Sequence, residues 1–318
     1  MEIVVVMPVE EEHKALLRSV APEGNVIFCT AKEVDDELLQ NAEIIVGNLP
    51  PDRLKVCENL KLLQLNTAGT DGYTAPGILP DGAVLTNATG SYGVGIAEHM
   101  VGSLLLLMKK LDLYRLNQEQ ALWKDEGSVK SIYGSKTLVV GLGDIGSEFA
   151  IRMKAMGSSV TGIRRQNTEK PDYVDALFQM ERLYECLSEA DIVAASLPNT
   201  KETVKIFDEK AFGSMKKGSY FINVGRGNAV DQDALFDALS SGHLAGAAID
   251  VTDPEPLPSD SKLWNAPNIF ITPHVSGGFH LKETHDRIVR IAAENIKHLI
   301  NDEPLISVVD METGYRKL

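Results

Sequence analysis

Cysteine is scarce, with three in 318 residues: Cys29, Cys57 and Cys186. The odd count, the wide spacing and the lack of a CxxC pair argue against a disulfide framework and a thiolate metal site. They fit a reduced, cytoplasmic setting. Basic charge is also in deficit. Lys plus Arg total 31 against 45 Asp plus Glu, for a net charge of −14. A general nucleic-acid or anionic-membrane binder would need a net basic face, so neither partner is expected. Long hydrophobic runs are missing. The most apolar stretch, Val101 to Met108, is far too short to span a bilayer. The opening run ends at Glu10 to Glu12 and has no basic n-region or cleavage site. It reads as a first strand, not a signal peptide. No internal repeat or low-complexity segment is found. The chain is instead ordinary in bulk, with 44 % apolar and 24 % charged residues. At about 150 residues per domain it has room for two domains.

The first hundred residues alternate short apolar runs with helical patterns. Ile3–Met7, Val26–Cys29, Glu43–Val46, Leu62–Asn66 and Val84–Thr86 read as strands. Glu11–Val20, Glu33–Gln40 and Pro51–Glu58 read as helices between them. Such alternation predicts a parallel sheet covered on both faces. A long helix follows, with Val94, Ala97, Val101, Leu104, Leu105 and Met108 on one face. After a polar stretch from Asn117 to Ser135 a second series begins. Its strands are Thr137–Val140, Ser159–Ile163, Ile192–Ser196, Tyr220–Val224, Ala247–Asp250 and Ile269–Thr272. A last helix spans about Leu281 to Ile300, and the tail reads as extended. The fold class is therefore α/β, with two doubly wound parallel-sheet domains. The expected division is 1–95 with 290–318 as one discontinuous domain and 96–289 as the other.

Thr137–Val140 runs into Gly141-Leu-Gly143-Asp144-Ile145-Gly146, and an amphipathic helix then stops at Gly157. Strand, GxGxxG and helix together make a dinucleotide fingerprint. Gly141 permits the tight turn, Gly143 lets backbone approach a pyrophosphate, and Gly146 lets helix and strand pack closely. The helix N-terminus offers free N–H groups and partial positive charge. Without the strand and helix the same glycines would be an ordinary turn. An NAD-binding unit places an acid on the ribose about 20 residues further on. Here the next strand ends in Arg164-Arg165, two guanidiniums able to fork onto a 2′-phosphate. That favours NADP over NAD. Simple solvation of both arginines is the bland alternative.

Ligands of open α/β sheets bind beyond the carboxyl ends of strands. Three late strands end in Gly225-Arg226-Gly227, in Val251-Thr-Asp-Pro-Glu255-Pro256 and in Pro273-His274. Arg226 can hold a carboxylate and polarise the neighbouring carbonyl of a 2-oxo acid. His274 can give that oxygen a proton as hydride arrives from a nicotinamide. Glu255 would orient the imidazole and favour its protonated form. Each residue alone could be a solvated loop group; placement at three successive strand ends favours function. His13, His243, His280, His285 and His298 have no comparable setting. No metal is implied.

These residues resemble the D-isomer-specific 2-hydroxyacid dehydrogenase family, from about Leu62 to Tyr315. The motifs are Gly141–Gly146, Ser196-Leu-Pro-Asn-Thr200, Phe221-Ile-Asn-Val-Gly-Arg-Gly227, Ala248-Ile-Asp-Val-Thr-Asp-Pro-Glu-Pro256 and Thr272-Pro-His274. The resemblance implies catalytic Arg226, Glu255 and His274, with Asp250 on the nicotinamide carboxamide. It also places Asp144, Ile145, Leu197, Pro198, Val224 and Gly225 among the cofactor contacts. Asn66-Thr-Ala-Gly-Thr-Asp71 is similar to the family loop whose N–H groups, here Ala68, Gly69 and Thr70, bind the substrate carboxylate. Asn87-Ala-Thr-Gly90 and Ala97-Glu98-His99 are similar to the start of the family's interdomain helix, where His99 reads as a packing residue. Two Rossmann-like domains around a cleft, hinge closure that excludes water, and a homodimer are implied.

Three features depart from the common pattern: Arg164 replaces the ribose acid, Thr252 replaces an aromatic residue, and Ser276-Gly-Gly-Phe279 follows His274. The first departure is similar to the NADP-using glyoxylate/hydroxypyruvate reductase branch. The expected activity is reduction of a small 2-oxo acid to the D-2-hydroxy acid. A phosphoglycerate dehydrogenase is the enzymatic alternative, and a dinucleotide-sensing module of the corepressor type is the non-enzymatic one.

Overall fold

The computed structural model describes residues 1–165, 169–278, 281–314 and 316–317; Phe279, His280 and Tyr315 lie outside them. The chain divides into two compact units. One joins Met1–Tyr92 to Phe279–Leu318, and the other is Gly93–Gly278.

The first unit opens with β1 (Glu2–Val5), α1 (Glu11–Ser19), β2 (Asn25–Phe28), α2 (Asp36–Asn41), β3 (Ile44–Val46), β4 (Leu62–Gln64) and β5 (Val84–Thr86). All neighbours pair in parallel in the order β2-β1-β3-β4-β5. Ile3, Val4, Val5, Ile44, Ile45 and Val46 are completely buried. Consecutive apolar residues, not alternating ones, are what a sheet covered on both faces needs. The α2 helix begins at Asp36, later than the apolar pattern indicates, because Asp35 caps it by accepting the Leu38 N–H at 2.8 Å. Pro51–Val56, expected as a helix, forms a 3₁₀ helix with Pro51 at its first position.

The second unit comprises α3 (Gly93–Met108), α4 (Leu111–Glu119), β6 (Lys136–Val140), α5 (Asp144–Ala155), β7 (Ser159–Ile163) and β8 (Ala176–Phe178). It continues with α6 (Leu183–Glu189), β9 (Ile192–Ala195), α7 (Glu209–Ser214), β10 (Tyr220–Asn223), α8 (Gln232–Ser240), β11 (Gly246–Ile249) and β12 (Ile269–Ile271). The parallel order is β12-β11-β10-β9-β6-β7-β8. Strand order thus reverses beside β6, and this switch point is where a doubly wound sheet opens a crevice. Phe207, Phe212 and Phe221, all buried, pack with ring centroids 4.9 to 6.3 Å apart. Two elements escape the sequence pattern. β8 is a three-residue edge strand, and α4 buries no residue, so it carries no core-facing stripe.

The chain returns to the first unit as α9 (Lys282–Ile300). Ile288, Ala292 and Ile296 are fully buried on it. Asn295, also fully buried, donates to Gln64 Oε1 at 2.6 Å and accepts the Ile306 N–H at 2.8 Å. These bonds tie helix and tail to the sheet, where Val309 N donates to Leu85 O at 2.8 Å. The second boundary therefore falls before α9; the expected cut at 290 would split one buried stripe. No helix among the described residues is long and apolar enough to cross a membrane.

Candidate active site

The site is built outward from β6, at the switch point. Gly141 follows this strand with φ +98°, and Gly143 is the N-cap residue of α5. A Cβ on Gly146 would stand 1.9 Å from Gly141 O, so only glycine lets α5 start this close to β6. A Cβ on Gly143 would meet nothing within 4 Å. The turn is thus tight on the protein side and open at Gly143, beside the first N–H groups of α5, which have no partner within the helix itself. That suits a dinucleotide pyrophosphate. The Asp144 carboxylate accepts the Gly93 N–H at 2.9 Å, at the start of α3, so its side chain has a structural duty. Ile145 is half-buried in the first turn of α5.

Glycines also bring the next loops together. Ser196, after β9, donates Oγ to Gly141 O at 2.9 Å. A Cβ on Gly225 would come within 2.5 Å of Leu197 N, and one on Gly227 within 2.0 Å of Thr252 O. The loops after β6, β9, β10 and β11 therefore pack backbone to backbone. Leu197 and Val224 are buried in them, and Pro198 O accepts Thr203 Oγ1 at 2.7 Å. The two glycines beside Arg226 are required by these approaches. Sequence reasoning missed Asn223, which is buried and holds the turn. Its Nδ2 donates to Arg226 O at 3.0 Å, and its Oδ1 accepts Gly225 N at 3.1 Å. A polar residue closing an apolar strand was the available signal. The Arg226 guanidinium donates to Gly225 O at 2.9 Å.

His274 and Glu255 meet, with Nδ1 2.8 Å from Oε2. The other carboxylate oxygen, Oε1, accepts the Thr252 N–H at 3.1 Å, and Thr252 Oγ1 donates to Pro254 O at 2.9 Å. Thr252, singled out as a departure, therefore shapes the turn that carries Glu255. A carboxylate accepts only, so Nδ1 carries hydrogen and Nε2 is the nitrogen left for chemistry. Half of the His274 side chain remains exposed. Its backbone is left-handed, at φ 52°. Asp250 is buried at the end of β11, and its carboxylate accepts four hydrogen bonds from Thr272, Val275 and Ser276.

Arg164 directly follows β7 and donates Nη2 to Leu142 O at 3.2 Å, which brings its guanidinium against the Gly141–Gly146 turn. Arg165 is exposed beside it. Ala68, Gly69 and Thr70 lie in the other unit, beyond the carboxyl end of β4. Asn87 Nδ2 donates to Ala68 O at 2.8 Å, and Thr67 Oγ1 donates to Gly69 O at 2.9 Å. Among the described residues no acceptor is found for the N–H groups of these three.

Residues 101–276 match the family model "D-isomer specific 2-hydroxyacid dehydrogenase, NAD binding domain". The chain belongs to this family of oxidoreductases. A D-isomer specific 2-hydroxyacid dehydrogenase family protein from Aeromonas salmonicida has a similar structure, with TM-score 0.86 and 31 % identity over 98 % of this chain and 99 % of that one. An NADPH-dependent glyoxylate/hydroxypyruvate reductase from Sinorhizobium meliloti, solved with NADP and sulfate, has TM-score 0.83 and 26 % identity over 99 % of both chains. D-3-phosphoglycerate dehydrogenase of Bacillus subtilis is 29 % identical over 88 % of this chain, which spans 53 % of that protein.

Proposed function

We propose that this protein reduces a small 2-oxo acid of the glyoxylate or hydroxypyruvate type to the D-2-hydroxy acid, using NADPH in preference to NADH. The observation that carries this reading is the His274–Glu255 pair, at 2.8 Å, beyond the strand ends of a sheet whose switch point bears the Gly141–Gly146 turn.

Bound at that turn, a reduced nicotinamide supplies the hydride. The chain's own residues do the rest. N–H groups at the start of α5 hold the pyrophosphate, and the loops at Leu197, Pro198, Val224 and Gly225 flank the coenzyme. Arg226 binds the substrate carboxylate and polarises the adjoining carbonyl. In the first unit, the loop at Ala68, Gly69 and Thr70 offers backbone N–H groups of the kind that bind a carboxylate. Nε2 of protonated His274 gives its proton to the carbonyl oxygen, which becomes the product hydroxyl. Glu255 keeps hydrogen on Nδ1 and faces the imidazolium with a negative charge. In the reverse direction neutral Nε2 is the base. Arg164 and Arg165, with no acid at the end of β7, support recognition of a 2′-phosphate.

The working molecule is proposed to be a homodimer. The arm of α4 and the following coil exposes Leu111, Leu116, Leu122 and Trp123, the last completely. Such surface is normally covered by a partner. Trp123→Glu should convert the dimer to a monomer in sedimentation experiments.

Kinetics test the mechanism. His274→Ala should lower kcat at least roughly a hundredfold with NADPH affinity nearly unchanged. Arg226→Ala should raise KM for the oxo acid and lower kcat. A His274→Ala enzyme that turns over like wild type removes the proposed proton donor.

A further inference from the structure

The segment after α9 closes an edge of the first unit's sheet. β5 ends that sheet, and Val308 bridges antiparallel to Thr86 while Val309 N donates to Leu85 O at 2.8 Å. An edge strand presents a row of unpaired backbone groups, so a cover there has a structural reason. The segment does more than cover. Ser307 is buried with a left-handed backbone, at φ 55°. A side-chain-bearing residue held this way persists only where its surroundings over-determine it. Its carbonyl accepts the Asn87 N–H at 3.2 Å, and its hydroxyl donates to Thr89 O at 3.3 Å. Beyond Ser307 the chain turns back. Asp310 Oδ1 accepts the Glu312 and Thr313 N–H groups at 3.0 and 2.9 Å, and Asp310 O accepts the Gly314 N–H at 2.8 Å. Gly314 closes this turn at φ +70°, a conformation that suits glycine. Its carbonyl then accepts the Thr70 hydroxyl at 3.1 Å.

That bond lands on one end of the loop Ala68–Thr70. The other end is held by Asn87, whose Nδ2 donates to Ala68 O at 2.8 Å and whose backbone is bound to Ser307. Between them Thr67 Oγ1 donates to Gly69 O at 2.9 Å. A peptide is planar and trans, so its N–H points opposite to its C=O. Carbonyls drawn to Asn87 and Thr67 therefore turn the Gly69 and Thr70 N–H groups away from those side chains. We infer, on the reading of this loop as a binder of the substrate carboxylate, that the segment from Ile306 to Gly314 is a clamp that fixes the loop's donors, with the Thr70 hydroxyl and Asp310 as its positioning groups. The donors are thereby ordered before an anion arrives, which spares binding the cost of ordering them.

Thr70→Val removes the hydroxyl and keeps the shape and the N–H. Asp310→Ala releases the turn, whereas Asp310→Asn keeps an oxygen for the same N–H groups. Three quantities are read against wild type: NMR order parameters of the Gly69 and Thr70 amides in coenzyme-free protein, NADPH Kd by fluorescence, and kcat and KM for glyoxylate. Thr70→Val and Asp310→Ala should lower the order parameters from about 0.85, typical of rigid backbone, towards about 0.6. KM should rise about two- to tenfold, the scale of one neutral hydrogen bond, with kcat and NADPH Kd within about twofold of wild type. Asp310→Asn should match wild type in all three. If Asp310→Ala does not fold, Thr70→Val carries the test. Wild-type order parameters in either folded variant overturn the inference. So does a fall in kcat with KM unchanged, or a loss in Asp310→Asn as large as in Asp310→Ala. A wild-type enzyme inert towards oxo acids would count against the proposed function alone, and the order parameters would still decide the clamp.

Discussion

Gly146→Ala strikes the junction on which coenzyme binding depends. The new Cβ would lie 1.9 Å from Gly141 O, where contacts under 3.0 Å are essentially never found, so β6 and α5 must part by about 1 Å. Neither side gives easily. Gly141 N is bonded to Ile163 O at 2.9 Å, and Gly141 O holds Ser196 Oγ at 2.9 Å. Overpacking of this kind costs roughly 1–3 kcal/mol. For a unit of this size that is about 2–12 °C of Tm. The shift also draws the N–H groups of α5 away from the phosphates. Losing one hydrogen bond to a charged group, roughly 1.5–3 kcal/mol, weakens NADPH at least tenfold. Gly143→Ala is the informative contrast. Its Cβ meets no protein atom within 4 Å, so Tm should be unchanged. The methyl group nevertheless occupies the open side of the turn, so NADPH Kd should still rise. Thermal melts and NADPH fluorescence titration read both effects. Wild-type NADPH affinity in Gly143→Ala, or a wild-type Tm in Gly146→Ala, would refute the reasoning.

Other expectations concern selectivity and stability. Replacing Arg164 and Arg165 together by alanine should raise KM for NADPH about tenfold or more and leave NADH nearly untouched; equal losses with both coenzymes reject the 2′-phosphate role. Asp208 caps α7 by accepting Ala211 N–H at 2.8 Å, so Asp208→Ala should cost about 1 kcal/mol in urea melts and leave kcat unchanged. Acid should weaken the first unit. Hydrogen bonds from His13 and Lys282 hold the Asp286 carboxyl below its ordinary range, and Lys282 does the same for Glu12. Because the folded values are depressed, this stabilisation is complete at neutral pH and is lost as pH falls below about 4. Asp286→Asn should lose less stability than wild type between pH 7 and pH 3.5; an equal loss would contradict the assignment.

Much of this was legible in the sequence, for physical reasons. Buried parallel strands must be apolar on both faces, so runs such as Ile44–Val46 announce themselves. A phosphate turn needs glycine at fixed offsets, so Gly141, Gly143 and Gly146 do too. Arg226, Glu255 and His274 stood out because reactive residue types closed three successive strands. What stayed hidden depends on how individual turns close. Asn223 bonds within its own turn to Gly225 and Arg226, and Thr252 within its own to Pro254 and Glu255, patterns that hydropathy does not record; the filling of Asp250 is visible only when residues 272–276 close around it. α4 was hidden for a different cause, since a helix that buries nothing leaves no stripe. The boundary before α9 depended on Asn295 reaching Gln64, which periodicity does not record.

The most direct measurement is steady-state turnover of purified protein on a panel of 2-oxo acids, glyoxylate and hydroxypyruvate included, with NADPH and NADH in parallel. The expected result is reduction to the D-hydroxy acid with kcat/KM clearly higher for NADPH. Coenzyme binding without turnover of any oxo acid, or a clear preference for NADH, would contradict it.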